Sequence, residues 1–157
     1  PRLAGALAIT MGSFASASPD AVLWLLPYLL VPAGVLLHHG RDLGLLALGE
    51  ESAAALGVEL AAVRRTVFLA AAALCGGAVA FAGVIGFIGL VTPHLARLIW
   101  GMEPRRLLLR SALAGAALTA LGDLLARRAL APVELPVGVV TAVLGVPFFV
   151  ALLRRAP

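Results

Sequence analysis

Apolar residues run along this chain in blocks about as long as a bilayer is thick, and the charge collects in the short stretches between them. A helix needs about 20 largely apolar residues to cross about 30 Å of hydrocarbon. The first block predicts a span over 21–37, kinked at Pro27 and Pro32, which lipid-embedded helices tolerate better than soluble ones. Residues 11–20 read as a loop or the end of an earlier helix. From 38 to 65 the character changes, with Arg41, Asp42, Glu50, Glu51, Glu59, Arg64 and Arg65, and the stretch is too charged to span. Within it, 48–57 predicts a short amphipathic helix. Ala53, Leu56 and Leu60 share a face at i, i+3 and i+7, and Glu50 and Glu51 lie in the first turn, where the helix dipole favours negative charge.

Residues 66–100 are almost continuously apolar. One straight helix of that length would be about 52 Å long, too long for a bilayer. Glycines 83, 86 and 89 offer a break, so two passes are predicted: a full one over 66–82 and a shorter one over 87–100, with Pro93 in its early turns or bending it. A loop at 101–106, a span over 107–126, a loop at 127–136 and a last span over 137–153 complete the pattern. The fold class is therefore an all-α polytopic transmembrane bundle of about five passes, one of them short.

Charge tests the two-pass reading. With two passes in the long block, Arg41, Arg64, Arg65, Arg105, Arg106, Arg154 and Arg155 fall on one side, against Arg127, Arg128 and Arg2 on the other. A single pass would split them nearly evenly. The positive-inside rule favours the lopsided arrangement. It puts 38–65, 101–106 and the end of the chain in the cytoplasm, and 10–20 and 127–136 outside it.

Composition agrees: 62% of the 157 residues are hydrophobic and 13% charged, against about 45–50% and 25% in soluble domains. The net charge of +4 does not point to nucleic acid, because all twelve basic residues are arginines clustered between apolar runs rather than along a stripe with exposed aromatics. The lone Cys75 excludes an internal disulfide and a cysteine-based metal site. The chain starts at Pro1 without an initiator methionine and reads as the middle of something longer.

Catalytic chemistry is absent from the pattern, so the expectation is no enzyme, no cofactor and no metal. A lysine-free chain holds no phosphate-binding P-loop, so any ATP hydrolysis belongs to another chain. His38 and His39 are adjacent and point apart on a helix, which suits an interfacial role better than a metal. Asp123 is an acid inside an apolar span, a functional hypothesis by default. It also sits four residues before Arg127, so a structural ion pair near the membrane surface is the competing reading. His94 and Arg97 read as capping, packing or headgroup contacts. Gly115 and Thr119 form a small-xxx-small pair for close helix packing, and Gly83 with Phe87 does so in part.

Four stretches together resemble one family. They are Leu48-Gly49-Glu50-Glu51-Ser52-Ala53-Ala54-Ala55-Leu56-Gly57; Gly86-Phe87-Ile88-Gly89-Leu90 followed by Pro93-His94 and Arg97; Gly122-Asp123 followed by Ala126-Arg127; and Glu134-Leu135-Pro136, Gly138 and Thr141 followed by Gly145, Pro147 and Phe149. In order and spacing they are similar to the FecCD-type permease of ABC importers for ferric siderophores, haem or cobalamin. The resemblance covers essentially the whole chain. It implies that residues 1–157 are the C-terminal half of one permease domain in a bacterial inner membrane.

The resemblance also implies roles. Gly49, Glu50, Glu51, Ser52, Ala53, Leu56 and Gly57 would form the cytoplasmic coupling helix that seats on an ABC ATPase subunit. Arg127 would dock an extracytoplasmic substrate-binding protein, with or instead of its pairing to Asp123. Thr141, Gly145 and Pro147 would help line the translocation path against a second permease subunit, in a homodimer, although the Thr141 hydroxyl can equally bond within its own helix. No nucleic acid is expected as a partner. The alternative is a fragment of an ion-coupled secondary transporter, which would need coupled acids near mid-membrane. An intramembrane enzyme would need paired catalytic groups at one depth, and none is visible.

Overall fold

A computed structural model describes residues 12–14, 17–101, 103–129 and 136–154. Arg2, Arg155, Glu134 and Leu135, which entered the sequence reading, lie outside them. Among the described residues every regular element is a helix: α1 (Pro19–His38), α2 (Gly40–Ala47), α3 (Glu50–Ala55), α4 (Leu60–Ala82), α5 (Ile88–Trp100), α6 (Pro104–Ala129) and α7 (Val137–Leu153). Three of these, α1, α4 and α6, are long and apolar enough to cross a membrane.

Local chemistry sets the ends. Ser18 caps α1 by accepting a hydrogen bond from the Ala21 N–H at 3.3 Å, and Pro19, with no N–H to satisfy, opens the helix. His39 closes α1 and opens α2 in a single residue, and its Nδ1 lies 2.9 Å from Asp42 Oδ2. The α4 and α6 helices begin earlier than their apolar blocks, at Leu60 rather than 66 and at Pro104 rather than 107. Helical hydrogen bonding does not stop where hydrocarbon does, so Arg64, Arg65, Arg105 and Arg106 ride on helix turns outside the membrane.

The expected break in the long apolar block is present. Gly83 ends α4 at φ +73°, and Phe87 opens α5 at φ +66°, so these two residues belong to the connection and not to a shared helix face. Ile88 and Thr92 face Gly115, eleven residues into α6, while the end of α5 meets the first turns of α6. Thus α5, about 20 Å long, runs beside only the lower half of α6. Residues 83–87 join α4 to α5 as irregular chain, with Phe87 against Gly145 of α7. Such backbone is tolerated in a membrane where protein covers it, and residues 12 and 13 cover one side: an added Cβ at Gly12 would sit 2.6 Å from the Val84 carbonyl oxygen, and the Ser13 N–H donates to Ala82 O at 2.9 Å, while the Val84 side chain is exposed.

The helices form two groups. Helix α1 packs along α4, where Tyr28 lies over Gly77, and α6 packs between α5 and α7. Helix α2 joins the groups by resting on the start of α6. The contacts are made by small residues: Ala53, Ala70, Ala82, Ala96 and Ala126 are buried, while Trp24 is 83% and Phe68 73% exposed. A soluble helix bundle would show the reverse. This distribution, with three membrane-length helices, defines a multi-pass membrane protein, in which small residues let backbones approach and large ones face lipid or further protein.

Candidate functional site

The charged loop folds into a corner built from α2, α3 and the start of α4. Gly49 caps α3 at φ +116°, a conformation that favours glycine. At the other end the Gly57 N–H bonds Ala54 O and the Val58 N–H bonds Ala53 O, both at 3.0 Å, with Gly57 at φ +83°. This is a Schellman turn. It stops the helix at Ala55, so the expected shared face of Ala53, Leu56 and Leu60 does not exist: Leu56 lies in the turn, and Leu60 begins α4. Ala53 is fully buried, and Glu50 pairs with Arg64 of α4. Glu51 and Ser52 are exposed, and so are Leu48 (73%) and Leu56 (65%). Two bare leucines flanking an anchored helix outside the apolar spans form a surface shaped to be covered.

Beneath this corner lies a contact missing from the sequence reading. Gly40 and Gly44, one turn apart on α2, face α6: an added Cβ would sit 3.1 Å from Arg105 Cβ at Gly40 and 3.2 Å from Pro104 Cγ at Gly44. The small-xxx-small spacing was visible in the sequence, but nothing there said which helix it would meet. The corner is therefore seated on the first turn of α6 and tied by Glu50–Arg64 to α4.

At the far end of α6, Arg127 Nε donates to Asp123 Oδ2 at 2.9 Å. From Arg105 to Arg127 the helix rises about 33 Å, a full bilayer, so the α3 corner and Arg127 lie at opposite ends of a helix long enough to cross a membrane. The pair is partly exposed, which holds its worth to about 1 kcal/mol or less. Asp123→Asn is expected to shift the thermal midpoint of the purified protein by no more than a few degrees; a collapse of folding would instead give the acid a structural role beyond the pair.

The three residues expected along the path are divided. Thr141 is 4% exposed; its hydroxyl donates to Gly138 O at 3.1 Å, and its methyl faces Gly122 of α6. Gly145 is buried against Phe87, and Pro147 is exposed. Thr141 and Gly145 thus hold α7 onto α6 and α5, where they border an apolar cavity of about 280 Å³ with Ile88, Leu118 and Phe148. The open face of α7 carries Pro147 with Val143, Val146 and Val150. His94 contributes an edge contact to Phe148, with ring centroids 6.1 Å apart. His38 stacks edge-on to His39, and among the described residues no cluster of metal-ligating side chains occurs.

A multi-pass bundle with a broken membrane helix, a small-residue core and an anchored helix on one face has the build of a transporter permease. The chain belongs to the FecCD transport family, whose sequence model matches residues 1–155. It is 45% identical over 147 residues to the hemin transport system permease protein HmuU of Yersinia pestis, covering 93% of this chain and 44% of that protein. It is 48% identical over 149 residues to the vitamin B12 import system permease protein BtuC of Vibrio cholerae, covering 92% and 44%. Among solved structures, a metal-chelate type ABC transporter in an inward-facing conformation superposes with a TM-score of 0.90 at 35% identity, over 99% of this chain and 50% of that one. The chain therefore spans less than half the length of these two curated relatives.

Proposed function

We propose that this chain is the C-terminal half of the membrane-spanning subunit of an ABC importer for a metal chelate, of the ferric siderophore, haem or cobalamin kind, in a bacterial inner membrane. Its helices make five passes, the third completed by the irregular segment before α5. A binding protein delivers the chelate at the Arg127 face, two permease subunits enclose the path, and two ATPase subunits grip α3. The permease itself makes and breaks no covalent bond.

The observation that carries this reading is the α3 corner. It is fixed to the starts of α4 and α6, it presents exposed leucines and small residues, and it lies a bilayer away from Arg127. A partner that moves α3 on binding ATP would move two spans with it as rigid bodies, opening one face of the bundle and closing the other. The ion-coupled alternative lacks its chemistry: Asp123, the acid available to it, is paired with Arg127 near a helix end.

Sidedness tests the proposal directly. In a Cys75→Ala background of the full-length protein, Ser52→Cys is expected to resist a membrane-impermeant maleimide in intact spheroplasts and to react once the membrane is opened. Arg128→Cys should react at once. Labelling of Ser52→Cys from outside would reverse the topology and remove the importer reading.

A further inference from the structure

We infer that the end of α5 and the second turn of α6 form a binding site for the phosphate of an anionic phospholipid. The geometry is specific. Arg110 leaves α6 about 9 Å above Pro104 and reaches the last carbonyl of α5, with Nη1 donating to Trp100 O at 3.0 Å. Its guanidinium carbon lies 5.9 Å from the centroid of the Trp100 ring. A charged group rooted among apolar residues that extends to a helix end is snorkelling toward the headgroup layer. Trp100 marks the same level, since an indole prefers the boundary between hydrocarbon and water.

Arg97 lies one turn before Trp100 on α5. It is exposed and has no hydrogen-bond or ion-pair partner among the described residues. Arg105 and Arg106 stand at the start of α6 beside a single acid, Glu103, which Arg106 bonds at 2.8 Å. The locus is therefore strongly cationic. The surface around it is apolar, with Leu98, Ile99 and Leu109 exposed at the level of the arginines and Leu113 exposed one turn deeper on α6. Arg97, about 4.5 Å deeper along α5 than Trp100, is a charge among exposed apolar side chains, which an anionic phosphate neutralises while acyl chains cover the leucines. A soluble acidic partner could satisfy the arginines but could not cover Leu113, about 14 Å along α6 from its start.

The inference does not depend on what is transported. Its test is native mass spectrometry of the full-length protein in mild detergent, offered phosphatidylglycerol or phosphatidylcholine with identical acyl chains. Wild type should retain phosphatidylglycerol preferentially. Arg97→Gln should lower that retention about fivefold, the effect of one basic residue near an anionic surface, and Arg128→Gln on the opposite membrane face should leave it unchanged. Because the Arg97 side chain is exposed and has no hydrogen bond or ion pair among the described residues, its variant should keep the wild-type thermal midpoint, which separates lost lipid from lost fold. Equal retention by Arg97→Gln and wild type, or equal retention of the two lipids, would overturn the site. So would disulfide capture of Leu98→Cys by another polypeptide, because protein would then cover this face.

Discussion

Gly145→Val should unfold the α5–α6–α7 group more readily than any other single change to α7. An added Cβ at Gly145 would overlap Phe87, lying 2.6 Å from Cγ. Phe87 cannot retreat easily: it is the one non-glycine residue with positive φ among those described, and it initiates α5. Overpacking typically costs about 1–3 kcal/mol, and a contact with no free rotamer belongs at the upper end, about a hundredfold in folded fraction. Gly34→Val is the matched control, because nothing lies within 4 Å of a Cβ there. Monodispersity after heating in detergent should fall sharply for the first variant and hardly at all for the second. The double variant Gly145→Val with Phe87→Gly should recover much of the loss, since glycine removes the clashing ring and accepts the backbone conformation. Indistinguishable midpoints for Gly145→Val and Gly34→Val would refute the contact.

Glu51→Trp with Ser52→Trp should abolish co-purification of the full-length protein with the proposed ATPase partner. Both side chains are exposed on α3, so the fold should tolerate the change, and Glu50 keeps its pair with Arg64. A small helix seated in a partner's cleft has no room for two indoles. Loss of a central anchor in an interface commonly costs about 2 kcal/mol or more, roughly thirtyfold in affinity. Arg128→Trp, on the opposite membrane face, should leave the complex intact. Survival of the complex with both indoles in place would mean that α3 is an ordinary loop helix. Together with the sidedness of Ser52→Cys, this separates a wrong topology from a wrong docking surface.

Much of the architecture was legible because membrane solvation is a coarse, strong constraint. The lengths of the apolar blocks located the helices, the excess length of residues 66–100 with their glycines indicated a break near 83–89, and the i, i+4 spacing of Asp123 and Arg127 anticipated their ion pair. The acidic start of α3 was also readable, since Glu50 and Glu51 favour the first turn of a helix. Its end was not. Continuing the period through Leu56 to Leu60 missed the turn that Gly57 makes, because a glycine's backbone angle depends on which hydrogen bonds its neighbours complete.

What the sequence determined by itself was which segments enter the membrane and which stay outside, because burying charge in hydrocarbon is costly whatever the packing. What only the tertiary structure decided was the facing of each helix. Lipid is as apolar as a protein interior, so hydrophobic periodicity does not distinguish the side that meets a neighbour from the side that meets the bilayer. Thr141 shows this: in sequence it is an isolated polar group in a span, and in the fold it is buried between α7 and α6 with its hydroxyl bonded to Gly138. Gly40 and Gly44 show it again, since their spacing promises a close approach but only the folded chain names Pro104 and Arg105 as the surface approached.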